Sequence, residues 1–309
     1  MVKLPDDFVR REGVSFDMAH RIACFTLDLE PDLYSKDSHE ILLDSDRFGQ
    51  IEAFFARNQL KLTTFVVARM LEIGLPVREK FSNIDTEFEL HSYSHNAREP
   101  DTEEEILRAK EAYLNYFGRS PRGYRAPNGD ISCAGLEVLH REGFLYDASV
   151  FPSWRPELGF NYRHLPTKPW IYAEFPRLVE IPFAVVPTIR IVVSFSFLKL
   201  FGLSFYRIMF SMFGLPEILV FDSHLHDFIP PESIRRLPRS DWRRSALMRN
   251  GNNTFYLLQG FIGFLRSKGF SFVSMNDLYR SLVGSKHDVP VIPVNGLRES
   301  AYQEQRVYI

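Results

Sequence analysis

Short apolar runs alternate with longer amphipathic ones through most of the chain, and this alternation constrains the fold more than any other feature. RIACFTLD (21–28), KLTTFVV (61–67), FELHS, GYRAP (123–127), FLYDASV, LVEIP, EILVFDSH and FSFVSMN each read as a buried strand. Between them lie helical patterns: DRFGQIEAFFARNQL, DTEEEILRAKEAYLNYFG, ISCAGLEVLHREG and TFYLLQGFIGFLRSKG. The second is the clearest. Thr102 and Glu105 make a capping box, Ile106, Ala109, Tyr113 and Phe117 share one face, and Gly118 is a natural stop. Strands that alternate with helices pair in parallel through crossovers. The expected class is therefore α/β, as a closed or distorted (β/α) barrel of about seven strands; an open doubly wound sheet fits the count less well. The pattern predicts a single domain over 1–309, with a core at about 21–282 and a C-terminal extension at 283–309 that docks in extended form.

Composition removes several classes of function. A net charge of −2 gives no basic field for nucleic acid. The N-terminal MVKLPDDFVRREGVSFDMAHR is charged and lacks an apolar centre, so no secretory signal is expected. No uninterrupted apolar stretch approaches about 18 residues, so no spanning helix is expected. Cys24 and Cys133 lie far apart and are read as reduced core thiols, which points to the cytoplasm. One segment stands out, IRIVVSFSFLKLFGLSFYRIMFSMFG (189–214). It reads as a strand and a helix packed beside the barrel. The alternative is an exposed apolar face that touches the inner side of a membrane or a lipid-linked substrate, with Arg190, Lys199 and Arg207 compatible with an anionic surface.

Polar residues collect where the strands end. TLDLEPD supplies Asp28, Glu30 and Asp32, HSYSH supplies His91 and His95, and Arg125 and Asp147 end two later strands. SHLHD adds His224, His226 and Asp227. In a parallel α/β protein that rim is where active sites assemble. A pair of histidines four apart would arise by chance in about one chain in four of this composition, so HSYSH alone is weak. On a helical turn, however, both rings could reach one ion. Asp28 and Glu30 lie two apart on a strand end and repel each other unless a cation or proton sits between them. Arg125 could clamp a buried carboxylate, and Asp147 could either cap a turn with Ser149 or tune a histidine. Two histidines and a carboxylate suit a mononuclear divalent site, zinc by default, and metal-assisted hydrolysis.

These residues together resemble the polysaccharide deacetylases with a NodB-homology domain, carbohydrate esterase family four, over about residues 21–282. FTLDLE, HSYSH, YRAPNG, YDASVFPSW and SHLHDF resemble five motifs of that family, in its order. The resemblance implies a distorted barrel and removal of an N-acetyl group from a sugar that is polymeric, nucleotide-linked or lipid-linked. By position it implies Asp28 as catalytic base, His91 and His95 as metal ligands, Arg125 as the partner of Asp28 and Asp147 as the group tuning the catalytic histidine. It also implies an oxyanion donor near the Asn128 N–H. Leu29 stands where the family usually carries its ligand acid, so the resemblance is to an Asp-x-Glu branch with Glu30 as third ligand. The late motif aligns on His224 or on His226, with His224 preferred. Two other classes stay open: a related C–N hydrolase of a cyclic ureide or small amide, and a catalytically weak sugar-binding relative.

Overall fold

The computed structural model describes residues 21–297, apart from 34, 36, 97–98, 285–288 and 295. The N-terminal segment and most of the C-terminal extension lie outside the described residues. Seven strands make the frame: β1 (Arg21–Leu29), β2 (Leu62–Val66), β3 (Thr86–Leu90), β4 (Gly123–Tyr124), β5 (Tyr146–Asp147), β6 (Phe175–Glu180) and β7 (Ile218–His224). They pair in the order β7-β1-β2-β3-β4-β5-β6, each parallel to its neighbour. Several are shorter than their apolar runs, among them β4 and β5 with two residues each.

After β6 the chain goes on pairing, and this closes the ring. Ile181 N donates to Asp147 O (2.8 Å) and Phe183 N to Val150 O (2.9 Å). Ala184 N then donates to Val220 O on β7 (3.1 Å), and Ser194 bridges Asp222 in parallel. The result is a distorted barrel with an irregular seam between β6 and β7. Three further short strands extend the sheet. Phe270–Phe272 lies parallel to the start of β1, Trp170–Tyr172 lies antiparallel to β6, and Val291–Ile292 of the C-terminal extension adds parallel to Trp170–Tyr172.

β1 shows how the sequence builds both sides of the wall. Ala23, Phe25, Leu27 and Leu29 join the large apolar cluster beneath the helices. The alternate residues Ile22 and Cys24 join a second cluster with Phe65, Tyr146, Val179 and Val220 inside the ring. Continuing inward along β1, Thr26 and Asp28 turn this interior polar toward the C-terminal rim.

Helices cover the wall: α1 (Ser45–Asn58), α2 (Glu103–Phe117), α3 (Cys133–Arg141), α4 (Phe195–Phe201), α5 (Leu203–Phe213), α6 (Trp242–Met248), α7 (Thr254–Ser267) and α8 (Met275–Gly284). Gly118 ends α2 in the left-handed conformation at φ 69°, as its place in the sequence predicts. Cys24 is buried, but Cys133 opens α3 at the edge of the core and is partly exposed. The 189–214 segment departs from the expected strand and helix. It forms a short extended stretch and then two helices, broken at Gly202. α4 packs on β7 through Phe195, whose ring meets Phe221 and Phe228. No helix among the described residues is long and apolar enough to cross a membrane.

Candidate metal centre

The site begins with strand register. Thr26 lies opposite Asp222, and Asp28 opposite His224, across the β1–β7 pair. Residues two apart share a face, so four polar side chains meet on the inner wall near its rim. Glu30 follows one step beyond the end of β1. Leu29 between the two acids is fully buried in the core, which leaves Asp28 and Glu30 on the site side.

His91 follows β3 directly. Its Nδ1 lies 2.8 Å from the carbonyl oxygen of Arg125, so Nδ1 carries the proton and Nε2 is left for the site. The helical turn assumed for HSYSH is not what brings the two rings together. Residues 91–95 form an irregular turn with Ser92 at φ 55° and His95 at φ 58°, and the ring centroids lie 5.1 Å apart. Two non-glycine residues in the left-handed region mark a turn that the surroundings must hold in place. Ser92 Oγ accepts the His95 amide (3.1 Å). Glu105 of α2 takes the Tyr93 and Ser94 amides on Oε2 and the Ser94 hydroxyl on Oε1. Only half of the expected capping box therefore serves the helix: Thr102 caps the Glu105 amide, while the Glu105 carboxylate fixes the histidine loop.

Glu30 Oε2 lies 2.6 Å from His95 Nε2 and 4.0 Å from His91 Nε2. One donor atom from each of Glu30, His91 and His95 falls within 4.8 Å of the others. Burial pushes the Glu30 carboxyl up, but His95 beside it reverses this and holds it well below the usual range. Burial lowers His91 to about 4, so its imidazole is neutral at neutral pH, as a ligand requires. An ionised carboxylate and two imidazoles, one held in its tautomer by a carbonyl, form a donor set that fits a divalent cation.

Arg125 is a buried clamp and not a surface arginine. Its Nη1 donates to Asp28 Oδ1 (2.7 Å), Asp222 Oδ1 (3.0 Å) and Thr26 Oγ1 (2.8 Å), and Nε donates to Ala148 O (3.1 Å). Its guanidinium lies 4.2 Å from the ring centroid of Phe65 and 4.4 Å from that of Phe183. Since Arg125 occupies Oδ1, the other oxygen of Asp28 is the one near the histidines, 3.7 Å from His91 Nε2 and 3.9 Å from His224 Nε2. Pro127–Gly129 follows as a tight turn with Asn128 left-handed at φ 58°. Gly129 is required there: a Cβ would come within 2.5 Å of the Ser149 carbonyl oxygen, at a φ of 68°.

His224 faces Asp28 and Glu30 through Nε2 (3.9 Å each) and two other acids through Nδ1, Asp227 at 3.4 Å and Asp222 at 3.8 Å. Burial opposes its charge, but Asp222 and Asp227 outweigh burial and raise its pKa well above the ordinary value. His226 stacks on His224 with centroids 4.8 Å apart, and burial lowers it to about 4. His224 thus makes the direct contacts with Asp28 and Glu30. Lys199 is buried and its charge acts on Asp227, which disfavours a second cation at His224, His226 and Asp227 even though they lie close enough to bind one.

Asp147, expected to tune the catalytic histidine or to cap a turn with Ser149, makes its contacts away from His224. The acids in ion-pair contact with His224 are Asp28, Glu30, Asp222 and Asp227. Asp147 instead accepts the Ser149 hydroxyl (2.6 Å) and pairs with Glu180, its cross-strand partner on β6. The capping alternative for Asp147 is the one the structure shows. Asp222 and Glu180 went unnoticed in the sequence, and Glu105 was read only as part of a capping box. Asp222 was findable, since it stands two residues before His224 on the same strand.

With this geometry in view, comparison with known proteins becomes informative. Residues 24–146 match the polysaccharide deacetylase family. The matched segment holds Asp28, Glu30, His91, His95 and Arg125, and stops before Asp147, Asp222 and His224. A search of curated proteins finds no match. The fold resembles a probable polysaccharide deacetylase from Pseudomonas aeruginosa PAO1, with a TM-score of 0.54 and 17% identity over 89% of this chain and 95% of that one. It resembles PuuE allantoinase equally, with a TM-score of 0.54 and 16% identity over 92% of this chain and 99% of that one. At such identities the likeness establishes the barrel alone.

Proposed function

We propose that this chain is a metal-dependent hydrolase that removes the N-acetyl group from an amino sugar, acting as one domain. The observation that carries this reading is the meeting of the Glu30–His91–His95 cluster, the Arg125-held Asp28 and the cationic His224 on one rim. Glu30 takes the third ligand place, as in an Asp-x-Glu arrangement, because Leu29 is committed to the core. A divalent ion held there, zinc being the expected one, would supply Lewis acidity toward an amide carbonyl and make water more acidic.

The chain's own groups account for the proton movements. Asp28 accepts a proton from the attacking water on Oδ2, while Arg125 fixes Oδ1 and keeps the carboxylate oriented. The Asn128 amide, set by its left-handed turn, is the candidate donor to the carbonyl oxygen as negative charge develops there. His224 gives its Nε2 proton to the departing nitrogen as the C–N bond breaks, and acetate and a free amine result. Asp222 and Asp227, in place of Asp147, keep that imidazole charged. Two cysteines far apart in the chain, Cys24 and Cys133, fit a reduced, cytoplasmic setting.

The test measures acetate release from nucleotide-linked, lipid-linked and polymeric N-acetyl sugars, with a cyclic ureide in the same panel and metal content measured in parallel. Acetate release that needs stoichiometric metal is expected. Asp28→Asn should abolish turnover and keep its metal. Ring opening of the ureide without acetate release would replace this reading with the C–N hydrolase one. Metal retained in Glu30→Ala would remove Glu30 from the ligand set.

A further inference from the structure

The 195–213 insertion presents apolar surface that the barrel does not cover. On α5, Ile208 is 55% exposed and Met212 65%; Phe201 at the end of α4 is 42% exposed. Ile208 and Met212 are four apart and share the outer face, while Tyr206 and Phe210 on the opposite side are buried. On α7, which packs against α4 and α5, Tyr256 is 83% exposed. An amphipathic aromatic in that position suits a boundary between apolar and aqueous phases.

A strongly basic stretch packs on α4, the helix that precedes α5 in the chain. Residues 232–249 hold six arginines against Glu232 and Asp241. Arg235, Arg236, Arg239 and Arg249 are exposed. The stretch is fastened to the same part of the molecule: α6 packs on α4, and Asn250 Nδ2 donates to Lys199 O (2.6 Å). Both elements also reach the catalytic rim. Ser196 of α4 donates to Asp227 Oδ1 (2.6 Å), and Ser233 donates to Leu33 O in the loop after β1 (2.5 Å).

We propose that the outer face of α5, with Phe201 and the arginine-rich 232–249 stretch, docks on an anionic lipid bilayer and holds the barrel rim against it. Exposed apolar side chains next to clustered arginines match a bilayer surface, whose interior takes the former and whose headgroups take the latter. A two-fold contact between copies of this chain matches less well, because it would bring two arginine stretches to one interface. Resting on the hydrolase reading, the substrate class that follows is a lipid-anchored N-acetyl sugar. The docking itself does not depend on that reading.

The experiment is vesicle co-sedimentation of the full chain, without substrate, on phosphatidylcholine with and without phosphatidylglycerol. The protein is expected to pellet with the anionic vesicles and to be released as salt rises. The pair Ile208→Glu and Met212→Glu should leave it in the supernatant, with circular dichroism and thermal midpoint unchanged, and Arg235→Glu with Arg236→Glu should weaken pelleting. Wild type left in the supernatant, equal pelleting on neutral vesicles, or unchanged pelleting of the Ile208/Met212 variant would overturn the proposal. So would a lipid-free dimer that the same variant dissociates, since a second copy would then cover the face.

Discussion

Asp222 stands between the Arg125 guanidinium at 3.0 Å and the His224 ring at 3.8 Å, and so acts on both halves of the proton machinery. Removing its charge takes one of two anions from the outer nitrogen of His224. The pKa of the imidazolium then falls, so it loses its proton at a lower pH. A general acid must be protonated to act, so the descending alkaline limb of the rate profile should move toward acid. Asp222→Asn is expected to show that shift in the pH dependence of kcat/KM, with a loss of roughly 10²-fold at neutral pH. An unmoved limb would mean that Asp227 alone sets the charge. At this scale the gathering of residues was largely legible: Asp28, Glu30, His91, His95, Arg125 and His224, all read as strand-end residues, do meet on one rim. What the sequence hid was pairing. Asp147 and Asp222 both stand near strand ends, but Asp222 shares β7 with His224 two residues away, whereas Asp147 lies on β5.

At the scale of elements, the histidine loop depends on a helix that carries none of the ligands. Glu105 sits in the first turn of α2 and spends its carboxylate on residues 93 and 94. Glu105→Gln keeps the length and one acceptor but loses the charge-assisted bonds to two amides. It should leave α2 folded, as the Thr102 cap remains, while metal affinity falls by about 10-fold, as for other groups that orient ligands. Competition with a chromophoric chelator would measure this, and unchanged affinity would show that the turn holds itself. The helices and their caps were readable because period and end residues are local. The left-handed turn at Ser92 and His95 was not, since serine does not favour that conformation and the turn is held by Glu105, a residue distant in the chain.

At the scale of the whole molecule, the barrel encloses a pair of acids remote from the ligand cluster. Asp147 and Glu180 face each other across β5 and β6, both without solvent exposure. Burial, then their mutual repulsion in the case of Glu180, raises both above the ordinary carboxylate range. Two such groups share a proton that the unfolded chain releases at lower pH. Their contribution to stability is therefore complete below the ordinary aspartate value and is lost as pH climbs through the raised one. This pair alone should lower the thermal midpoint from about pH 4 toward neutrality, with a change on the order of 1 kcal/mol, against the opposite slope from His91 and His226, whose lowered values favour the folded state as pH rises. Asp147→Asn should flatten the pair's slope, because an amide keeps the hydrogen bond without needing the proton. A pH dependence of the midpoint that is the same in wild type and variant would contradict the shared proton. Fold class was legible from the alternation of runs; closure was not, because the 181–194 seam has too little regular pattern to announce itself.

That seam gives the site an uneven architecture. Glu30 and His91 follow β1 and β3, whereas Asp222 and His224 lie on β7, which pairs with β1 on one side and meets the irregular 181–194 seam on the other. Ser194, which latches that joint to Asp222, opens the helix pair whose outer surface is apolar. Loosening the latch would disarm the proton donor and leave Glu30, His91 and His95 in place. On the proposed reading, a bilayer docked on α5 would bear on the same joint, so docking and the placement of His224 would be linked through Ser194.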